Sequence, residues 1–288
     1  MKKYLLLSIV FVTLLSMKNE KAAYRLFEQN GNKASYKEML KEASEADIVF
    51  LGELHDNPIC HWLEYELTAD LYAERGKNLI LGAEMFESDN QLIVNEYLGG
   101  LIKEKDFESQ ARLWPNYKTD YKRLLNFARD SSLAFVATNI PRRYAAMINK
   151  SGCDALNTLD KNAYQFIAPL PLKYDSTLSC YADMYKMMGD APTHSTRNIA
   201  CAQNSKDATM AYFILKNFIK GKIFLHFNGS YHSDRFQSII WHLKQADPSL
   251  KIVTISSVEQ KHTDKLEKES EGLANYIIAI PETMSKSQ

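Results

Sequence analysis

The chain has few of the features that assign a function at a glance. Its 288 residues include only four cysteines, Cys60, Cys153, Cys180 and Cys201, and no Cys-x-x-Cys pair. Four cysteines allow three pairings, and their spacing favours none of them; Cys60 also reads as a free buried thiol. Charge of one sign is missing too. Lys plus Arg and Asp plus Glu are 35 each, so the net charge is zero, and the basic face expected of a nucleic-acid partner is not favoured. The N-terminal apolar stretch, Tyr4 to Leu15, falls short of the roughly 20 residues that span a bilayer. Ser230 follows Gly229 but stands in no Gly-x-Ser-x-Gly nucleophile elbow. There is no internal repeat and no long low-complexity tract.

What is present begins with that apolar stretch. Lys2 and Lys3 precede it, which predicts a secretory signal peptide over residues 1–20 and an exported protein. No cysteine follows it, so no lipid-anchor cysteine is evident. Export makes disulfides feasible.

Six runs read as strands of a mostly parallel sheet: 47–51, 78–82, 132–136, 222–225, 251–255 and 275–280. Between them lie helical segments. Ser35 and Glu38 form a capping-box pattern before a helix over 35–46. Asn57 and Pro58 open a second helix that runs to Arg75, with Gly76 as its cap. Further helices are expected over 88–98, over 119–131, after Pro141 and over about 206–220. Residues 21 up to the first helix read as an arm. The fold class is thus α/β: a mostly parallel central sheet flanked by helices, formed by residues 21–151 and 206–288. Residues 152–205, rich in proline, tyrosine and methionine, read as a smaller helical insertion subdomain lying over the sheet. The charged segment 259–271 reads as solvated surface.

Four of the strand runs are each followed at once by an acid, a histidine or an amide: Gly52-Glu-Leu-His-Asp56, Glu84-Met-Phe86, Thr138-Asn-Ile-Pro141 and Asn228-Gly-Ser-Tyr-His232. Buried parallel strands are continuously apolar, and ligands of open α/β sheets bind outside the carboxyl ends of the strands. These motifs therefore predict one shared polar crevice. Residues i and i+2 of an extended segment share a face, so Glu53 and His55 both enter it. With Glu84 and His232 they make a set of two carboxylates and two imidazoles. Such a set suits a divalent metal or a metal-free acid/base site of a hydrolase. His61, on the next helix, would be a further ligand or an outer-shell group. Arg142 and Arg143 suit an anion clamp at the rim.

At these residues the sequence resembles the ChaN-like haem-binding uptake family, within the superfamily that includes TIKI, TraB and erythromycin esterase proteins. The resemblance is carried by Gly52-Glu-Leu-His-Asp-Asn57 with His61, and by Glu84-Met-Phe86. Asn139 with Pro141-Arg142, Pro169-Leu-Pro171, Ala202-Gln203 with Asp207-Ala-Thr-Met-Ala211, and Asn228-Gly-Ser-Tyr-His232 complete it. Where the family usually has two adjacent histidines, this chain has Cys60-His61. The resemblance implies haem binding linked to iron acquisition, a periplasmic or outer-membrane location, an outer-membrane haem receptor as partner, and a homodimer enclosing stacked haems. It also implies a tyrosine axial ligand. Tyr181, Tyr185 and the nearby His194 in the insertion are the candidates, with Arg142 and His61 as further haem-site residues. No Cys-x-x-Cys-His is present, so haem would be held without covalent attachment.

Overall fold

The computed structural model describes residues 21–187 and 198–287. Seven strands form one sheet in the order β1-β7-β6-β2-β5-β3-β4. They are β1 (Arg25–Glu28), β2 (Ile48–Glu53), β3 (Leu79–Glu87), β4 (Ala134–Asn139), β5 (Ile223–Gly229), β6 (Ile252–Gln260) and β7 (Tyr276–Pro281). All neighbours are parallel except β1, which pairs antiparallel with β7 at the edge. This is the α/β fold expected, with one strand more than the apolar runs indicated. β1 is only four residues long and puts just Leu26 and Phe27 into the core, too little to stand out from an arm.

Alternation along the strands assigns the two faces. Val49, Leu51, Leu81, Leu225 and Phe227 pack on one side with α2 (Pro58–Arg75), α3 (Gln91–Leu98), α4 (Glu104–Gln110) and α5 (Lys122–Asp130). Ile48, Phe50, Ile80 and Phe224 pack on the other with α8 (Ile199–Asn217) and α9 (Ile239–Ala246). The first helix, α1 (Tyr36–Ser44), carries the full capping box: Ser35 accepts from the Glu38 backbone, and Glu38 reaches back to the backbone of Ser35. Asn57 caps α2 with Pro58 in its first turn. α6 (Arg142–Ser151) follows Pro141 as expected.

Three boundaries depart from the sequence reading. α4 was not anticipated; it is seven residues, five of them charged or amide, and only Phe107 is buried. α5 starts at Lys122 after a turn of π-helix, Tyr117–Tyr121, which turns Tyr117, Asp120 and Tyr121 inward. α8 begins at Ile199 rather than near Lys206, because Ala200, Cys201, Ala202, Asn204 and Ser205 are all buried against neighbours. Between α6 and α8 lie two 3-10 turns, Cys153–Thr158 and Lys161–Phe166, and the helix α7 (Ser179–Met187). A disulfide joins Cys153 to Cys201, tying the start of this segment to α8; Cys60 and Cys180 are free and buried.

Candidate functional site

The strands do not stop where the polar residues begin. β2, β3, β4 and β5 run on through Glu53, Glu84, Asn139 and Asn228, all of them buried. Register brings them together: Glu53 lies opposite Gly229, and Ala83 opposite Phe227, so β5 sits between the two acidic strand ends. A backbone that keeps its ladder can carry buried polar side chains that find partners, and each of these has at least one hydrogen bond.

Two networks result. In the first, Glu53 Oε1 accepts from His55 Nδ1 at 2.6 Å and from the Tyr121 hydroxyl at 2.8 Å. Its other oxygen, Oε2, lies 3.0 Å from His61 Nδ1, which is also 3.3 Å from Glu64 Oε2. Burial alone would raise the Glu53 carboxyl; the His55 hydrogen bond and the adjacent His61 outweigh it and hold it at about 2. Burial and the adjacent Glu53 charge raise Glu64 well above the carboxylate range. His61 is pushed up to about 11, its desolvation overcome by Glu53 and Glu64. Burial would lower His55 too, but Glu53 and Glu84 raise it.

In the second network, Glu84 Oε2 accepts the Gly229 N–H at 2.8 Å, and Oε1 lies 3.2 Å from His232 Nε2. His232 Nδ1 lies 2.5 Å from Asp207 Oδ1, and Asp207 Oδ2 accepts from the Tyr181 hydroxyl at 2.8 Å. Desolvation would lower His232, but the carboxylates on both sides push it up to about 10. Glu84 is held far below the carboxylate range, its own burial cost overcome chiefly by His232. The result is a buried chain of hydrogen bonds, Glu84–His232–Asp207–Tyr181, spanning β3, the turn after β5, α8 and α7. Gly229 is the spacer between the networks. A Cβ there would meet His55 Nε2 at 2.7 Å and Glu84 Oε2 at 3.6 Å.

Both networks open on one cavity of about 1170 Å³, floored by Glu53, His55, Glu84 and His232 and walled by Trp114, Ile140 and Met184. The predicted four residues therefore do share a crevice. Arg142 and Lys206 line it as well, and among the described residues neither is in an ion pair. Arg143 instead pairs with Asp89 at 2.5 Å.

The remaining predicted residues are placed less simply. Tyr181 is fully buried, and burial plus Asp207 push its hydroxyl far above the ordinary phenol range. An axial role would require it to give up the Asp207 bond; in this structure its hydroxyl is the partner of Asp207. Tyr185, by contrast, is 41% exposed on the same helix. His61 lies beneath the cavity and does not line it. His194 lies outside the described residues. Cys60, where the family usually has a histidine, is a core residue whose thiol burial pushes up to about 12.

Asp207, Glu64 and Tyr121 were not singled out as site residues. The signals were the motif Asp207-Ala-Thr-Met-Ala211, which helped carry the resemblance without giving Asp207 a role, and a His-x-x-Glu spacing on α2 that puts His61 and Glu64 on one face. Among the described residues, Glu53, His61 and Glu64 offer ligand atoms that all lie within 4.8 Å of one another, a group that could hold a metal ion.

The model of the ChaN haem-binding uptake family of the Tiki superfamily matches residues 39–243. The chain belongs to this family. Its fold is similar to that in the structure of cofacial haem binding to ChaN of Campylobacter jejuni. That match has 19% identity and a TM-score of 0.68, and it covers 90% of this chain and 98% of that one. More distant likenesses of fold are a Bacillus cereus protein, at 13% identity and TM-score 0.52 over 92% of this chain and 96% of that one, and an erythromycin esterase mutant in its open conformation. The esterase match has 12% identity and a TM-score of 0.51, over 93% of this chain and 99% of that one. No curated protein matches the sequence.

Proposed function

We propose that this protein is an exported, non-covalent haem-binding protein serving haem and iron acquisition, held in the periplasm or at the outer membrane. Family membership supports haem binding of an uptake type. The observation that carries the reading in this chain is the position of Tyr185. It is the exposed tyrosine of α7, next in sequence to Met184, which lines the large cavity. Tyr185 does not itself line the cavity, but an exposed phenol on the helix that supplies Met184 to its wall is open to a ferric haem, and a phenolate ligand supplies the charge that ferric iron favours. Arg142 and Lys206, in no ion pair among the described residues, would take the propionates. The residues present thus fit the group. Bound haem would supply the iron; Tyr185 would ligate it, and Trp114, Ile140 and Met184 would shield the porphyrin. A haem receptor and a homodimer belong to the same proposal. Among the described residues no helix is long and apolar enough to cross a membrane.

Haemin titration tests this. Saturable binding with a Soret maximum that shifts in Tyr185→Phe and is unmoved in Tyr181→Phe is the expected result. An unchanged spectrum in Tyr185→Phe removes that residue as the ligand, and no saturable change at all removes the proposal.

One observation favours a second reading, hydrolysis at the cavity floor. His55 and His232 are each bonded to carboxylates, as a general base or acid requires, and both reach the cavity. An ester panel assayed with wild type and Glu84→Gln decides it: equal rates, or none, dispose of the enzyme.

A further inference from the structure

We infer that Glu53, His61 and Glu64 form a binding site for one divalent first-row transition-metal ion, set behind the cavity floor. It is independent of haem, since neither His61 nor Glu64 lines the cavity.

Hydrogen bonding alone leaves the trio unsatisfied. One ring nitrogen, His61 Nδ1, faces carboxylate oxygens of two glutamates at 3.0 and 3.3 Å, and it carries at most one proton. Glu53 and Glu64 are at most 1% exposed, so bulk solvent does not reach them. Glu53 Oε2, the atom aimed at His61, has no hydrogen-bond partner, and Glu64 Oε1 has none either. Buried oxygens without partners are costly, and a metal ion in place of the protons on His61 and Glu64 would engage them.

The spacing fits an ion. Ligands at about 2.0–2.2 Å from a metal, at octahedral or tetrahedral angles, sit roughly 2.9–3.4 Å from one another. The two nitrogen-to-oxygen separations fall in that interval. Once the ion displaces the protons of His61 Nδ1 and Glu64, two carboxylates and a neutral imidazole balance a 2+ charge, and the mixed oxygen and nitrogen donors favour Mn²⁺, Fe²⁺ or Zn²⁺ over softer ions.

The surroundings orient the donors as outer-shell groups of metal sites do. His61 Nε2 lies 3.3 Å from the His55 carbonyl and 3.5 Å from Asp120 Oδ2, acceptors that keep the proton on Nε2 and leave Nδ1 to the metal. Glu53 Oε1 is fixed by Tyr121 and His55, so that its two oxygens face two different sites. His61 and Glu64 stand three apart on α2 and present the same face. Glu53 also lines the cavity, which gives an ion its route in.

The test uses purified protein stripped with a chelator and titrated calorimetrically with Zn²⁺ and, separately, Mn²⁺. One equivalent is expected for at least one of the two, weakened tenfold or more in Glu64→Gln and unchanged in Glu84→Gln. On the wild type, ¹⁵N-histidine spectra read the ligand directly: Zn²⁺ should move His61 Nδ1 and leave its Nε2 proton in place. No saturable binding of either ion overturns the site. So does binding lost in Glu84→Gln but kept in Glu64→Gln, or a Zn²⁺ shift at His55 or His232 alone, since these put the ion in the cavity.

Discussion

Asp207→Asn is the sharpest probe of the buried chain at the cavity floor. Asp207 is fully buried on α8, bonded to the Tyr181 hydroxyl and to His232, whose other nitrogen faces Glu84. His232 rises from its ordinary 6.5 to about 10 because it stands between two carboxylates. At about 1.4 kcal/mol per pH unit, that rise is worth nearly 5 kcal/mol of stability well below pH 6.5 and about 4 kcal/mol at pH 7, to order of magnitude. An amide at 207 keeps the shape and a partner for Tyr181 but removes one of the two charges, so about 2–3 kcal/mol should go. For a domain of this size that lowers Tm by roughly 5–10 °C. The sign with pH is fixed. A histidine raised in the folded state contributes fully below 6.5 and loses its contribution as pH climbs through 10. The difference between wild type and variant should therefore be full at pH 7 and less than half at pH 10.5. Thermal melts at both pH values, with ¹⁵N-histidine titration of His232, provide the measurement. A Tm loss that is equal at both pH values, or a His232 that titrates near 6.5, refutes the ion pair.

The other expectations can be taken together. Gly229→Ala should drive His55 away from Glu53, because its Cβ would fall 2.7 Å from Nε2; the side chain is two-fifths exposed and has room to move, so Tm should change little while the His55 titration drops. Gly52→Ala should do the opposite and destabilise by about 1–3 kcal/mol, since the atom it meets at 2.8 Å is the Ser230 Cα, which cannot swing aside. Denaturation curves separate the two; equal Tm losses contradict the geometry. On the acid side, burial pushes His226 and His242 down to about 4. At these two sites the unfolded chain takes up protons first, so His226 alone should cost about 3 kcal/mol between pH 6.5 and pH 4, against an opposite contribution from Asp234, whose burial raises it to about 6. Urea midpoints of wild type and His226→Gln should therefore converge as pH falls; a gap independent of pH would rule this out.

The strand-end motifs were legible because apolar runs are rare outside buried strands and an acid at the end of one is conspicuous. Glu53, His55, Glu84 and His232 do meet, and the helix caps at Ser35 and Asn57 stand where local chemistry put them. Three things were not legible. β1 exists through its edge pairing with β7, a contact some 250 residues away in sequence that leaves almost no local pattern. Asp207 and Glu64 lie inside helices, where an acid normally reads as solvent-facing. Tyr181 and Tyr185 look alike in the sequence, and one helical turn decides that the first is buried on Asp207 and the second is exposed.

By itself, then, the sequence determined six of the seven strands and that the carboxyl ends of four of them are polar, because periodicity and capping are local properties of the chain. Only tertiary structure decided how those polar groups pair. Sheet order put β5 between β2 and β3 and so set Gly229 between Glu53 and Glu84. Helix packing brought Asp207 to His232, and Glu64 to His61 and Glu53. Charge state depends on distance and burial, and both are fixed by packing between segments that sequence spacing does not relate.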